Sequence, residues 1–232
     1  MKMVTHFGVR TSNKHDGLKL TRDNYVKVNN DSSFKKGLIY DDSFIEKQTE
    51  NSLYNYDLNM KYFSLLSGRE FNKELMKFVK KASFEEVTDL ASLKVPGYYI
   101  MVLDEYCQVY IGRSKSIGNR IQSHWSKQQN FDRLIFGGKE NSILSIDSFR
   151  AYDTSRVFVH KSSDLDGYED LFINMFNKKY ILNRTIGGTL EGGLVEAIAN
   201  AKTRNLTNKN QGLNTKKGFL NKLTKLFTWF NK

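Results

Sequence analysis

The 232-residue chain contains one cysteine, Cys107, and one proline, Pro96. A lone cysteine excludes an intramolecular disulfide and leaves too few thiolates for a cysteine-based zinc site. No run of apolar residues approaches the roughly 18 that a membrane-spanning helix needs. The N-terminal sequence also lacks the apolar segment of a signal peptide. We therefore expect a cytoplasmic protein in a reducing environment.

Acidic residues are missing from the C-terminal end of the chain. Overall, 36 Lys and Arg residues exceed 25 acidic ones, which gives a net charge of +11. Residues 201–232 hold eight basic residues and no acidic ones, so they supply +8 of that total. The rest of the chain is nearly balanced. Net charge alone therefore does not identify a nucleic-acid-binding domain in its middle.

The spacing of apolar residues divides the chain into segments of different type. The first 60 residues are polar and weakly periodic, with short strands predicted over 4–9, 25–30 and 37–45. Apolar residues at helical spacing predict helices over 70–81, 84–93, 117–125, 166–179 and 191–202. Runs rich in β-branched and aromatic residues predict strands over 98–103, 108–111 and 156–160, the first two forming a hairpin.

The C-terminal residues predict a polar linker followed by a basic amphipathic helix over residues 218–232. Three interpretations of this helix remain open: it packs on the domain, lies on an anionic membrane surface, or contacts DNA or a protein partner. The linker and the flanking Trp229 favour the membrane. In that case the protein would be peripheral at the inner face of a membrane.

Five polar side chains in the middle of the chain are of kinds that suit phosphodiester hydrolysis. Tyr99 and Tyr110 lie on the two strands of the predicted hairpin and face the same side if the register allows. Arg120 and His124 are four residues apart on the next predicted helix and share a face. Glu169 falls within the apolar arc of a later helix, where a carboxylate is costly unless it has a partner or a metal.

These residue types match the needs of the reaction. The attacking water needs a base, the pentacovalent phosphorus needs cations, and the leaving 3′-oxygen needs a Lewis acid. A single carboxylate is enough to hold Mg²⁺, because this ion normally keeps several of its waters.

At these positions the sequence resembles the GIY-YIG nuclease superfamily. The matching elements, in the family's order, are Gly97-Tyr98-Tyr99, Tyr110-Ile111-Gly112, Arg120 with His124, Glu169, and Asn183. The likeness covers residues 95–188, about 40% of the chain. It implies an α+β fold with a small three-stranded antiparallel sheet flanked by helices, which cuts nucleic acid with one divalent metal. Tyr98 stands where the family's name has isoleucine.

The resemblance also implies a role for each matching residue. Tyr99 would be the general base or the phenol that orients the water, and Tyr110 would lie beside Tyr99. Arg120 would contact the scissile phosphate, and His124 would hydrogen-bond within the site or assist proton transfer. Glu169 would hold Mg²⁺ or Mn²⁺. Candidates for substrate binding are Arg113, Lys115 and Asn183, the last as a supporting residue. An ordinary tyrosine has a pKa near ~10, so the phenol must be activated or the base role passes elsewhere.

Each of these residues also has a purely structural interpretation. The tyrosines could be ordinary strand aromatics, and the Arg120–His124 pair could be a solvated helix face. Glu169 follows Asp166 by three residues, so these two could form a capping box at the start of a helix. All of these interpretations would have to coincide in the family's order, and we therefore favour the nuclease.

The sequence thus predicts a divalent-metal-dependent endonuclease whose expected substrate is DNA rather than RNA, with restriction or defence against foreign DNA as the favoured pathway. The alternatives are a non-catalytic nucleic-acid-binding module and a membrane-tethered protein. The predicted organisation is an N-terminal extension (1–94), a nuclease domain (95–188), a helix with linker (189–217) and the amphipathic helix (218–232). One active site cuts one strand, so duplex cleavage would need a homodimer or two successive visits.

Overall fold

A computed structural model describes residues 3–12, 17–26, 40–126, 138–184 and 192–202. In chain order its elements are β1 (Met3–His6), β2 (Val9–Ser12), α1 (Arg22–Tyr25), α2 (Asp42–Phe63), α3 (Gly68–Lys81), β3 (Glu85–Val87), β4 (Gly97–Leu103), β5 (Gln108–Ser114), α4 (Ile117–Ser126), β6 (Arg156–Lys161), α5 (Tyr168–Met175) and α6 (193–202). The predicted linker and the amphipathic helix over 218–232 lie outside the described residues. Within them, no helix is both long and apolar enough to cross a bilayer.

The larger sheet has the strand order β3-β6-β4-β5, and every pairing in it is antiparallel. The predicted α+β class, the hairpin of β4 with β5, and the third strand β6 are confirmed. The prediction of three strands is wrong, because β3 pairs with the outer edge of β6. β3 occupies part of the segment 84–93, where a helix was predicted.

The sheet is covered on both faces, and this explains why every residue of β4 is buried. Alternate residues of a strand point to opposite faces. Tyr98, Ile100 and Val102 pack with apolar residues of α3 and α5. Tyr99 and Met101 pack on the other face with α4, parts of α2, and the segment from 143 to 151.

The N-terminal third of the chain packs into the same core as the middle. Tyr56, Tyr62 and Phe63 of α2 share one buried cluster with Tyr99 and Ile121. The boundary predicted at residue 94 therefore does not separate two packing units. The strand predicted over 37–45 is also wrong from residue 42 onward, where α2 begins.

The start of α2 is fixed by a side-chain cap. The Asp41 carboxylate accepts a hydrogen bond of 2.9 Å from the backbone N–H of Phe44, which satisfies one of the free donors at the helix start. The buried residues of the helix include Ser52, Asn55 and Asn59. Since these are polar, the apolar period that marks a helix in a sequence is interrupted here.

α4 confirms the helix predicted from Ile117, Ile121 and Trp125, all of which are buried. Its second residue, Gly118, permits a close approach to the preceding turn. The Gly118 N–H donates to the carbonyl of Leu93 at 2.8 Å, and a Cβ at Gly118 would lie 2.3 Å from the carbonyl oxygen of Leu90. Gly118 is therefore accommodated within α4, and the close packing of α4 against the carbonyl group of Leu90 leaves no space for a Cβ atom at this position.

α5 is shorter than the predicted helix over 166–179. It begins after Gly167, which has a φ of +86° and makes no side-chain cap, so the predicted capping box does not form. Phe172 of the predicted apolar face is buried, whereas Tyr168 and Leu171 remain about half exposed. α6 confirms the helix predicted over 191–202 from residue 193 onward, whereas Gly192 is in a turn.

Candidate active site

The register of the β4–β5 hairpin places the two tyrosines on the same face of the sheet. Tyr99 is directly opposite Gly112, and Tyr110 is opposite Met101, two positions further along the hairpin. The centroids of the two phenol rings are 6.2 Å apart. Tyr99 is fully buried and Tyr110 is partly buried. The predicted pairing of the tyrosines is therefore present.

His124 extends from α4 into the space beside the two phenols. Its Nε2 lies 2.9 Å from the Tyr99 hydroxyl oxygen, and its ring centroid is 5.0 Å from that of Tyr110. The imidazole is only 3% exposed, so the interpretation of this position as a solvated helix face is wrong.

The other nitrogen of the imidazole meets a residue that the sequence did not indicate. His124 Nδ1 lies 2.6 Å from Oδ1 of Asp147. Asp147 belongs to a single 3₁₀ turn, Ile146–Ser148, and its backbone N–H donates to the hydroxyl of Ser145 at 3.1 Å. A lone aspartate in a short turn carries no motif, and only the folding of this segment onto α4 brings it to the site.

Arg120 lies one turn before His124 on α4, and its side chain is exposed. Burial raises the pKa of Tyr99 well above its usual range, and the guanidinium of Arg120 partly offsets this effect. Burial likewise raises the pKa of Tyr110, to about 12, with a smaller opposing effect from Arg120. The positive charge of Arg120 thus acts on both hydroxyls.

Glu169 is on the first turn of α5, and its side chain is 26% exposed. Burial raises the pKa of its carboxyl group, while the charges of Arg113 and Arg120 act in the opposite direction. The carboxylate also contributes to the raised pKa values of Tyr99 and Tyr110, after burial as the main cause. The structure therefore brings all five predicted residues to one place beside the edge strand β5.

The carboxylate of Glu169 is the group here that suits a divalent cation. Within the described ranges, no cluster of three or more His, Cys, Asp or Glu side chains could enclose a metal. A single half-buried carboxylate fits Mg²⁺ or Mn²⁺ when water and substrate oxygens complete the coordination. The donor set is thus compatible with a hydrated ion and not with a cage of protein ligands.

The three candidates for substrate binding differ in their surroundings. Arg113 Nε lies 3.1 Å from Oε2 of Glu169, and its NH1 atom lies 3.6 Å from Asp166. The Arg113 side chain is 44% exposed, so it can still reach a phosphate at the rim of the site. Lys115 is exposed in the turn between β5 and α4.

Asn183 is placed differently from these two cations. Its Oδ1 accepts from the N–H of Ile111 at 3.0 Å, and its Nδ2 donates to the Ile111 carbonyl at 2.6 Å. The side chain is 4% exposed. Both ends of the amide thus bond to β5, which corrects the assignment to substrate contact and leaves the supporting role.

Comparison of the chain with protein-family models, curated proteins and solved structures found no match. A function for this chain must therefore be inferred from the chemistry of the site.

Proposed function

We propose that this protein is a divalent-metal-dependent endonuclease of the GIY-YIG type that hydrolyses phosphodiester bonds in DNA. The observation that carries the proposal is the convergence of five groups from four elements. Tyr99 on β4, Tyr110 on β5, Arg120 and His124 on α4, and Glu169 on α5 meet beside one edge of the sheet.

The phenol and imidazole supply the proton transfer. A neutral Tyr99 beside His124 Nε2 at 2.9 Å can pass its proton to the imidazole while its oxygen takes a proton from the attacking water. Because the Tyr99 side chain is fully buried in the free protein, this step requires that substrate binding admits the water to the hydroxyl group. This coupled transfer avoids a free phenolate, which burial of Tyr99 strongly disfavours.

The cationic side chains suit the charge that develops on phosphorus. Arg120 faces both hydroxyls, so a phosphate in contact with its guanidinium would lie next to the activated water. A guanidinium offers several N–H donors in a planar arrangement that matches phosphate oxygens. Such contacts accelerate a reaction when they are stronger in the transition state than in the ground state.

Glu169 would hold the divalent ion, which supplies Lewis-acid stabilisation of the leaving 3′-oxygen when bound. The carboxylate belongs to the first turn of α5, and the Arg113 guanidinium lies beside it. Arg113 pairs with the carboxylate in the free protein, and its side chain is 44% exposed, so its guanidinium would also be accessible to a phosphate at the rim of the site.

The test is cleavage of a panel of labelled substrates by the purified full chain. Single- and double-stranded DNA and RNA are incubated with Mg²⁺ or Mn²⁺, and the new ends are mapped. We expect internal cuts in DNA that require the metal and disappear in Glu169→Ala. Binding without cleavage of any substrate would instead favour the non-catalytic nucleic-acid-binding module.

A further inference from the structure

We propose that Asp147 is a positioning residue that orients His124 so that the imidazole accepts the Tyr99 proton during phosphodiester hydrolysis. This inference rests on the proposed nuclease function and adds a third member to the proton-transfer pair. It also assigns a role in catalysis to the 3₁₀ turn Ile146–Ser148, which lies between helix α4 and strand β6.

The geometry defines one tautomer of His124. A carboxylate only accepts hydrogen bonds, so the 2.6 Å contact between Nδ1 and Asp147 Oδ1 places the imidazole proton on Nδ1. Nε2 of the neutral ring is then an acceptor, and the Tyr99 hydroxyl at 2.9 Å is its donor. This is the arrangement that lets the imidazole take a proton from the phenol.

The polar groups around the imidazole come from three directions. Tyr99 and Tyr110 face it from the sheet, Arg120 lies one turn away on its own helix, and Asp147 faces it from the 3₁₀ turn. The Asp147 carboxylate lies 2.6 Å from Nδ1, where its negative charge can stabilise an imidazolium. The contact is also short, as expected for a hydrogen bond that involves a charged group.

The proposed step balances in atoms and charge. The water oxygen forms its bond to phosphorus as its proton moves to the Tyr99 oxygen, and the Tyr99 proton moves to His124 Nε2. The bond between phosphorus and the 3′-oxygen breaks, and the leaving oxygen takes a proton from solvent. The imidazolium, paired with the Asp147 carboxylate, later releases its proton to solvent.

The N-terminal part of the chain holds the segment that leads to Asp147. Asn55 Nδ2 donates to the carbonyl of Ser142 at 2.6 Å, and Asn59 Nδ2 donates to the same carbonyl at 3.0 Å. Asn59 Oδ1 accepts from the N–H of Leu144 at 3.1 Å. Both asparagines are fully buried. α2 thus anchors the backbone three residues before Asp147. The buried asparagines of α2 therefore help to fix the position of Asp147 beside His124.

The variants to be tested are Asp147→Asn and Asp147→Ala, and they are compared with His124→Ala and with the double variant His124→Ala/Asp147→Asn. Asp42→Asn is the matched control, because Asp42 is exposed on the first turn of α2. Cleavage kinetics, thermal unfolding and the ¹⁵N chemical shifts of the His124 ring are measured. Both Asp147 variants should lower kcat by about 100-fold or more, the range of general acid–base effects, with KM nearly unchanged. The share of the Nδ1-protonated tautomer should fall in both.

The double variant distinguishes positioning from a separate structural role. If Asp147 acts through the imidazole, the double variant cleaves no more slowly than His124→Ala alone. A kcat within about threefold of wild type in both Asp147 variants would overturn the inference, as would additive losses in the double variant. If wild type and Asp42→Asn are themselves inactive on every substrate, the proposed nuclease function fails. That result is distinguishable from failure of the Asp147 inference, in which wild type and Asp42→Asn remain active.

Discussion

The Tyr99 hydroxyl group lies directly above Gly112 on the neighbouring strand, so that a Cβ at Gly112 would come within 2.5 Å of the hydroxyl oxygen. The same Cβ would lie 3.0 Å from the Tyr110 ring. The glycine of the second motif therefore provides the space in which the first tyrosine reaches His124. The position of Tyr99 in the first motif therefore depends on the absence of a side chain at Gly112 in the second.

We expect Gly112→Ala to displace the Tyr99 phenol and break its 2.9 Å contact with His124. Overpacking of this kind costs about 1–3 kcal/mol of stability, and cleavage should fall by about 10-fold or more because the phenol leaves its position. Gly68→Ala is the control, since its Cβ would meet only Cys107 Sγ at an ordinary 3.9 Å. Full activity in Gly112→Ala would show that the Tyr99 position is not critical.

Glu169→Ala should abolish cleavage while the protein stays folded. The substitution removes the partly exposed ion pair between Glu169 and Arg113. Its loss should change the free energy of unfolding by no more than about 1 kcal/mol. Cleavage with Mn²⁺, Mn²⁺ binding followed by water proton relaxation, and thermal unfolding are compared. Asp170→Asn, which removes the neighbouring exposed carboxylate, should retain cleavage. Normal Mn²⁺ binding and activity in Glu169→Ala would refute the metal role.

Arg120→Ala should reduce kcat by about 100-fold or more and weaken substrate binding far less, because the guanidinium contact strengthens in the transition state. Arg120→Lys keeps the charge but loses the planar set of donors, so it should recover only part of the rate. Single-turnover rates and equilibrium binding to the same DNA separate the two effects. A loss confined to binding would place Arg120 in ground-state recognition.

Asn183→Ala should destabilise the protein by about 2–4 kcal/mol, since the N–H and C=O of Ile111 would both lose a buried partner. Denaturant unfolding measures this loss. KM for DNA should stay near the wild-type value in the variant that remains folded. An unchanged stability together with a raised KM would restore the original assignment of Asn183 to substrate contact.

His6 makes stability depend on pH in a definite direction. Burial lowers the pKa of this imidazole below its ordinary 6.5, even though its Nε2 contacts the Thr154 carbonyl at 3.0 Å. The unfolded chain therefore takes up the proton first as the pH falls through about 6.5, and the folded state loses stability. Denaturant unfolding at about pH 7.5 and about pH 5.5 should show a steeper loss in wild type than in His6→Gln. Parallel losses would exclude His6 as the cause.

Prediction from the sequence succeeded where local patterns and final structure coincide. The apolar spacing in Ile117, Ile121 and Trp125 predicts α4, and the helix then places Arg120 and His124 on one side. The hairpin likewise follows from two β-rich runs with a short connection. In such elements the periodicity of the chain by itself orients the side chains.

Prediction failed where burial involves polar residues or where an element depends on distant pairing. α2 was missed because buried Asn55 and Asn59 interrupt its apolar period. β3 has only three residues, two of them glutamates, and it is extended because β6 offers hydrogen-bond partners. Neither feature can be recognised from the residues alone.

The sequence by itself determined the hairpin, the helix after it, and the order and types of five candidate site residues. Only the tertiary structure decided that these five meet, that Asn183 supports β5, and that Asp147 reaches His124. The reason is that local periodicity orients side chains within one element, whereas the distance between elements is set by packing of the whole core. Tyr99 and Asp147 belong to one site because α4 and the turn at Ile146–Ser148 pack on the same face of the sheet as Tyr99.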